Sequence, residues 1–168
     1  MFAHKFAMAL LFFSVPMLAT AQSIAIPKPV PYAADSEIAG NVKRECGLDM
    51  KLADFIVKYA GERKIPVSVV GETNPTMPGR VLVLEIRDAV SSGNAFLGHH
   101  KSTSVSGKYF QDGKLIGSFK DRRDSMGGMF GGFKGSCSVL GRTVRAIGGD
   151  VAEWLANPVM DADLGDLR

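Results

Sequence analysis

The spacing of apolar positions changes several times along the chain, and each change predicts an element. Ile24 and Ile26 alternate with polar or small neighbours and predict a short first strand. Pro27, Pro29 and Pro31 follow it, so this segment is expected at a sheet edge or as an extended arm. Asp35 and Ser36 are candidate N-caps, with Glu37 in the first turn. Ile38, Val42 and Cys46, then Leu48, Leu52, Phe55, Ile56 and Tyr59, keep helical spacing, with Lys51, Asp54, Lys58 and Glu62 on the other face. Gly47 predicts a bend or break in this helix, and Gly61 and Pro66 end it.

Ile65–Gly71 reads as a second strand and Glu72–Gly79 as a loop. Arg80–Val90 is the strongest strand. Its nearly continuous apolar run from Val81 to Leu84 suits a central position covered on both faces. Ser91–Lys101 reads as a loop. Residues 103–110 alternate, Asp112-Gly113 supplies a two-residue turn, and Leu115–Lys120 alternates again, which together predict a hairpin. Gly107 and Gly117 leave room for something to pack closely against it, such as a helix. From Cys137 to about Ala156, Leu140, Val144, Ile147, Val151 and Leu155 form one stripe, capped by Ser136 or Ser138 and ended by Asn157-Pro158. Gly148-Gly149 inside that helix predicts a close helix–sheet contact or a kink. The expected fold is α+β: a mixed sheet of about five strands with two main helices packed on one face.

Residues 1–21 stand apart from this pattern. Lys5 precedes the apolar run Phe6–Leu18, and Ala19-Thr20-Ala21 is a small-x-small cleavage site, so this stretch reads as a signal peptide. The run is shorter than the roughly 20 residues that span a bilayer. Gln22 follows the cleavage site where a lipoprotein would have cysteine, so no lipid anchor is expected. Residues 22–158 are read as one domain and 159–168, with Asp161, Asp163 and Asp166, as a flexible acidic tail. The expected address is the bacterial periplasm.

The 168 residues carry 20 Lys and Arg against 17 Asp and Glu, a balance that gives no case for nucleic acid. The chain has two cysteines, Cys46 and Cys137. In an oxidising compartment they are expected to bond to each other, one helix to the other. They lack the Cys-x-x-Cys spacing of a redox pair.

Ser23-Ile-Ala-Ile-Pro, Asp35-Ser-Glu-Ile, Glu45-Cys46 and Ile65-Pro-Val-Ser-Val resemble the opening of envelope domains related to the curli-secretion lipoprotein and the TolB amino-terminal domain. Arg80-Val-Leu-Val-Leu-Glu-Ile, Gly113-Lys-Leu-Ile-Gly-Ser-Phe and Gly148-Gly-Asp-Val-Ala-Glu-Trp-Leu155 are similar to secreted proteins of that outline. The resemblance implies an α+β envelope domain that binds or assembles and is not an enzyme. The missing anchoring cysteine departs from the lipoprotein members, and no catalytic residues carry over.

The candidate chemistry centres on Ser125–Cys137, where five glycines fall within nine residues. Gly127 and Gly132 have phosphate-loop spacing, but Phe133 stands where the lysine belongs, so a nucleotide loop is rejected. Lys134, Gly135 and Ser136 at the helix start remain a candidate anion site. Met126, Met129, Phe130 and Phe133 are either tucked on the sheet edge or form a partner-binding flap. His99-His100 has no nearby Cys or His to complete a metal site, and neither a metal nor a cofactor is implied. Arg122 and Arg123 read as a solvated edge that discourages strand pairing. The function expected is non-catalytic binding or envelope assembly, with another envelope protein or a second copy as partner. The alternative is a periplasmic enzyme or small-ligand carrier with a pocket near the start of the last helix.

Overall fold

The computed structural model describes residues 22–91, 101–125 and 135–168. Its elements are β1 (Ile24–Pro27), α1 (Gly40–Glu45), α2 (Leu48–Glu62), β2 (Val67–Val70), β3 (Arg80–Ser91), β4 (Lys101–Gln111), β5 (Lys114–Ser125), α3 (Ser136–Trp154) and β6 (Ala162–Gly165). They build an α+β fold with one six-stranded mixed sheet in the order β2-β1-β3-β4-β5-β6. β3, β4 and β5 form an antiparallel meander, whereas β1–β2, β1–β3 and β5–β6 are parallel.

One face of this sheet is dry. Ile24 and Ile26 of β1, Leu82, Leu84 and Ile86 of β3, and Val105, Tyr109 and Phe119 meet Leu52 and Ile56 of α2 and Leu140, Val144, Ile147 and Val151 of α3. These side chains are at most 3% exposed. Burying each stabilises the fold by roughly 1.5–3 kcal/mol before the cost of ordering the chain. The expected turn at Asp112-Gly113 is present, with both residues at positive φ, 49° and 80°.

Glycines set three approaches. Gly47 breaks the first helix by adopting φ 56°, which separates α1 from α2. A Cβ on Gly117 would lie 2.8 Å from the Trp154 ring, so this glycine seats the end of α3 on the hairpin. A Cβ on Gly148 would lie 2.5 Å from Phe55 Cβ and 3.1 Å from the Phe55 carbonyl carbon. The close contact there is between α3 and α2, not between helix and sheet as expected.

Four other expectations are corrected. β1 lies inside the sheet, not at its edge. β3 pairs with Ile24 and Ala25 and again at Tyr32, where Ile86 N–H donates to Pro31 O (2.9 Å). Pro27 still pairs with Val70 of β2, so the prolines sit where the sheet uses their carbonyls or nothing. Asp35 and Ser36 do not cap a helix, because α1 begins only at Gly40 without a side-chain cap. Asp35 instead accepts from Arg87 (2.9 Å), and Ser36 Oγ accepts from Lys43 Nζ (3.1 Å). α3 likewise starts behind Gly135 with no side-chain cap, since Ser136 is engaged elsewhere. Finally, residues 159–168 are not a flexible tail. Leu164 is 3% exposed and anchors β6, which pairs with Phe119–Arg122 of β5.

Candidate functional site

Strand alternation decides what the second face of the sheet carries. With Val105 and Tyr109 committed to the core, Ser102, Ser104, Ser106 and Lys108 of β4 turn the other way. Their cross-strand neighbours on β5 are Asp124, Arg122, Lys120 and Ser118. On β3, Glu85 lies opposite Ser106 and Val83 opposite Lys108. The helices pack on the first face, so this one is left as a trough of about 980 Å³. Pro75 of the loop before β3 and Leu167 near the chain end flank it.

The charges in the trough are not equivalent. Arg87 bonds to Glu85 (3.2 Å) as well as Asp35, and Arg122 bonds to Asp124 (3.2 Å). Lys108 and Lys120 are exposed and have no hydrogen bond or ion pair among the described residues. Ser118 Oγ donates to Asp161 Oδ1 and accepts the Asp161 N–H, both at 2.8 Å. That pair is a clamp holding the chain end to β5, since both functions of the hydroxyl are used. Lys120 has Asp163 of β6 as its cross-strand neighbour, whereas Lys108 lies between Val83 and Ser118. The trough therefore offers hydroxyl rungs and, at Lys108, an ammonium with no acidic cross-strand neighbour, suited to holding a polar or anionic surface.

At the start of α3, Cys137 is bonded to Cys46 across 91 residues, with Cα atoms 4.8 Å apart. Ser136 Oγ accepts from Lys101 Nζ at 3.1 Å, and the same ammonium donates to Ser91 Oγ at 2.8 Å. Lys101 is only 3% exposed, and its role was hidden in the sequence because it stood at the end of an expected loop. Of the candidate anion site, Gly135 and Ser136 are thus placed beside a buried cation, whereas Lys134 lies outside the described residues. Met126, Met129, Phe130 and Phe133 of the expected flap, and His99-His100, also lie outside them. The trough lining includes no residue from the start of α3.

A second cluster, which sequence reasoning missed, lies where β5, α3 and β6 converge. Arg123 is not a solvated edge residue. It grips Asp150 of α3 through two bonds of 2.6 and 2.7 Å and reaches Asp166 at 3.0 Å. Those carboxylates raise its affinity for its proton. Next to it Asp121 is 1% exposed, and neither carboxyl oxygen has a hydrogen-bond partner among the described residues. Burial, and then the nearby Asp150 charge, push its carboxyl up to about 7. Among the described residues no group of His, Cys, Asp and Glu could hold a metal ion, and no helix is long and apolar enough to cross a membrane.

No protein-family model matches the chain, and no curated protein matches its sequence. Solved structures are similar to it in fold. A protein from Xanthomonas campestris described by the family model DUF330 is similar over 81% of this chain and 84% of that one, at 11% identity and a TM-score of 0.54. A minor lipoprotein from Acinetobacter baumannii is similar over 81% of this chain and 93% of its own, at 8% identity and a TM-score of 0.44. The Xanthomonas likeness is one of fold. Neither comparison shows the resemblance to the curli-secretion lipoprotein or to TolB.

Proposed function

We propose that this is a secreted, non-catalytic protein of the bacterial envelope that acts by binding or assembly, and that the helix-free sheet face is its binding surface. The observation that carries the reading is the trough itself. Folding covers one face of the sheet with two helices and leaves the other lined by serines, with Lys108 and Lys120 unpaired among the described residues. The Lys108 ammonium, with no acidic cross-strand neighbour and with hydroxyl donors beside it, favours a partner that brings carboxylate or phosphate groups. The leader-like residues 1–21 and the Cys46–Cys137 bond support an oxidising address outside the cytoplasm.

A photo-cross-linker placed at Ser106 tests this directly, with the same group at Lys58 on α2 as control. The Ser106 probe is expected to capture a periplasmic partner that the Lys58 probe does not, and K108E/K120E should abolish that capture. Equal capture from both positions, or capture indifferent to the two lysines, would rule the trough out.

A further inference from the structure

We infer that the β2 edge is a dimerisation edge, which joins two copies of this chain antiparallel about Ser68 into one continuous sheet. The inference concerns a different surface from the trough and does not depend on the binding reading above.

The two outer strands of the sheet are built differently. Both have four residues, but β6 contains Asp163 and is flanked by Asp161 and Asp166, charges that discourage further pairing. β2 reads Val67-Ser68-Val69-Val70 with no charge at all, and Val69 is 49% exposed. Its backbone is half used. Pro66 O accepts the Ile24 N–H and Val70 O accepts the Lys28 N–H, each at 2.8 Å. Successive residues of a strand turn their N–H and C=O groups to opposite edges. The even-numbered residues therefore face β1, and Val67 and Val69 face outward. Among the described residues nothing pairs with that side.

The same stretch complements itself in one register. With a two-fold axis at Ser68, Val67 of one copy lies opposite Val69 of the other, and both present outward N–H and C=O groups. Such a pair exchanges both hydrogen bonds, and the symmetry repeats the exchange. Beyond the strand ends, the same axis brings the turn that carries Lys64 (φ 59°) toward the segment of the second copy that carries Glu72. Both residues are exposed, and neither has an ion pair among the described residues. A slip of one residue sets outward groups against inward ones, and a slip of two moves the two flanking charges apart. On the helix side, Val67 and Val69 are in register with the buried Ile24 and Ile26, so pairing would cover the exposed Val69 and extend the core.

Sedimentation velocity on the mature protein over a range of concentrations is the test. The native chain should show a reversible monomer–dimer equilibrium. Val69→Pro removes an outward N–H that no described intramolecular bond uses, and should raise the dissociation constant by about tenfold or more. Val69→Lys, which puts a charge on the edge, should act in the same direction without relying on proline. K64E and E72K should each weaken the dimer by about three- to tenfold at low salt, and K64E/E72K should restore it. Far-ultraviolet circular dichroism should show all variants folded. A chain that stays monomeric at every concentration, or a dimer indifferent to both Val69 variants, overturns the proposal. So does a charge swap that fails to rescue.

Discussion

Asp121, at 1%, is the least exposed of the described Asp, Glu, Lys and Arg residues. It has the oxygens of a carboxyl without a described partner, a glycine backbone at Gly165 packed over it, and Asp150 nearby. A folded-state value near 7 against 3.8 for the free group means that the fold prefers the neutral acid. The stability Asp121 contributes is therefore full below about pH 4 and is lost as pH rises through about 7. Asp121→Asn keeps the shape and cannot ionise. At pH 8 it should be more stable than the native chain by roughly 2–4 kcal/mol, a gain that shrinks toward zero near pH 4. Urea denaturation of both proteins at pH 4, 6 and 8 measures that difference. A gain that does not change with pH would show that Asp121 ionises in the folded protein as it does in the unfolded chain, with no upward shift. Gly148 gives a second single-residue contrast. Alanine normally favours a helix over glycine by about 1 kcal/mol, and at Gly141, where a Cβ meets nothing within 4 Å, Gly141→Ala should stabilise by about that amount. At Gly148 the added Cβ meets Phe55 and its backbone, which cannot yield without moving α2. Overpacking of about 1–3 kcal/mol outweighs the propensity gain, so Gly148→Ala should lower the thermal midpoint while Gly141→Ala raises it.

At the scale of elements, β6 separates what the sequence shows from what it hides. Its four residues hold one buried apolar side chain between aspartates, a pattern also expected of a solvated tail. Only the β5 edge, with Ser118 bonding Asp161 and Arg123 bonding Asp166, makes it a strand. Leu164→Ala should cost about 2–4 kcal/mol in urea unfolding, whereas a mobile tail would lose nothing. The hairpin was legible because Asp112-Gly113 demands positive φ locally, and α2 and α3 because their stripes need no distant information. β1 was not, because its place depends on parallel partners far along the chain at Val67 and Arg80. The trough lay between these cases. Ser102, Ser104, Ser106 and Lys108 alternate visibly in the sequence, but which face they share stays hidden until the helices choose the other one.

At the scale of the molecule, the Cys46–Cys137 bond joins the α1–α2 junction to the first turn of α3, across most of the sheet-forming chain. All of β2 to β5 lies inside the loop it closes. In the chain-entropy account, a loop of 91 residues corresponds to about 4–5 kcal/mol taken from the unfolded state. The folded state should change little when the bond is opened. Leu48 and Leu140 near its ends are already fully buried, and the α2–α3 contact at Gly148 lies well along the helix. Reduction should therefore lower the urea midpoint sharply and steepen the transition, because an unfolded chain freed of its loop exposes more surface. Circular dichroism without denaturant should stay nearly the same. C46A/C137A should reproduce the reduced protein's midpoint, which separates loss of the loop constraint from any effect of free thiols. If the reduced chain were unfolded even without urea, the packed helices and sheet would by themselves stabilise the fold by less than the bond does.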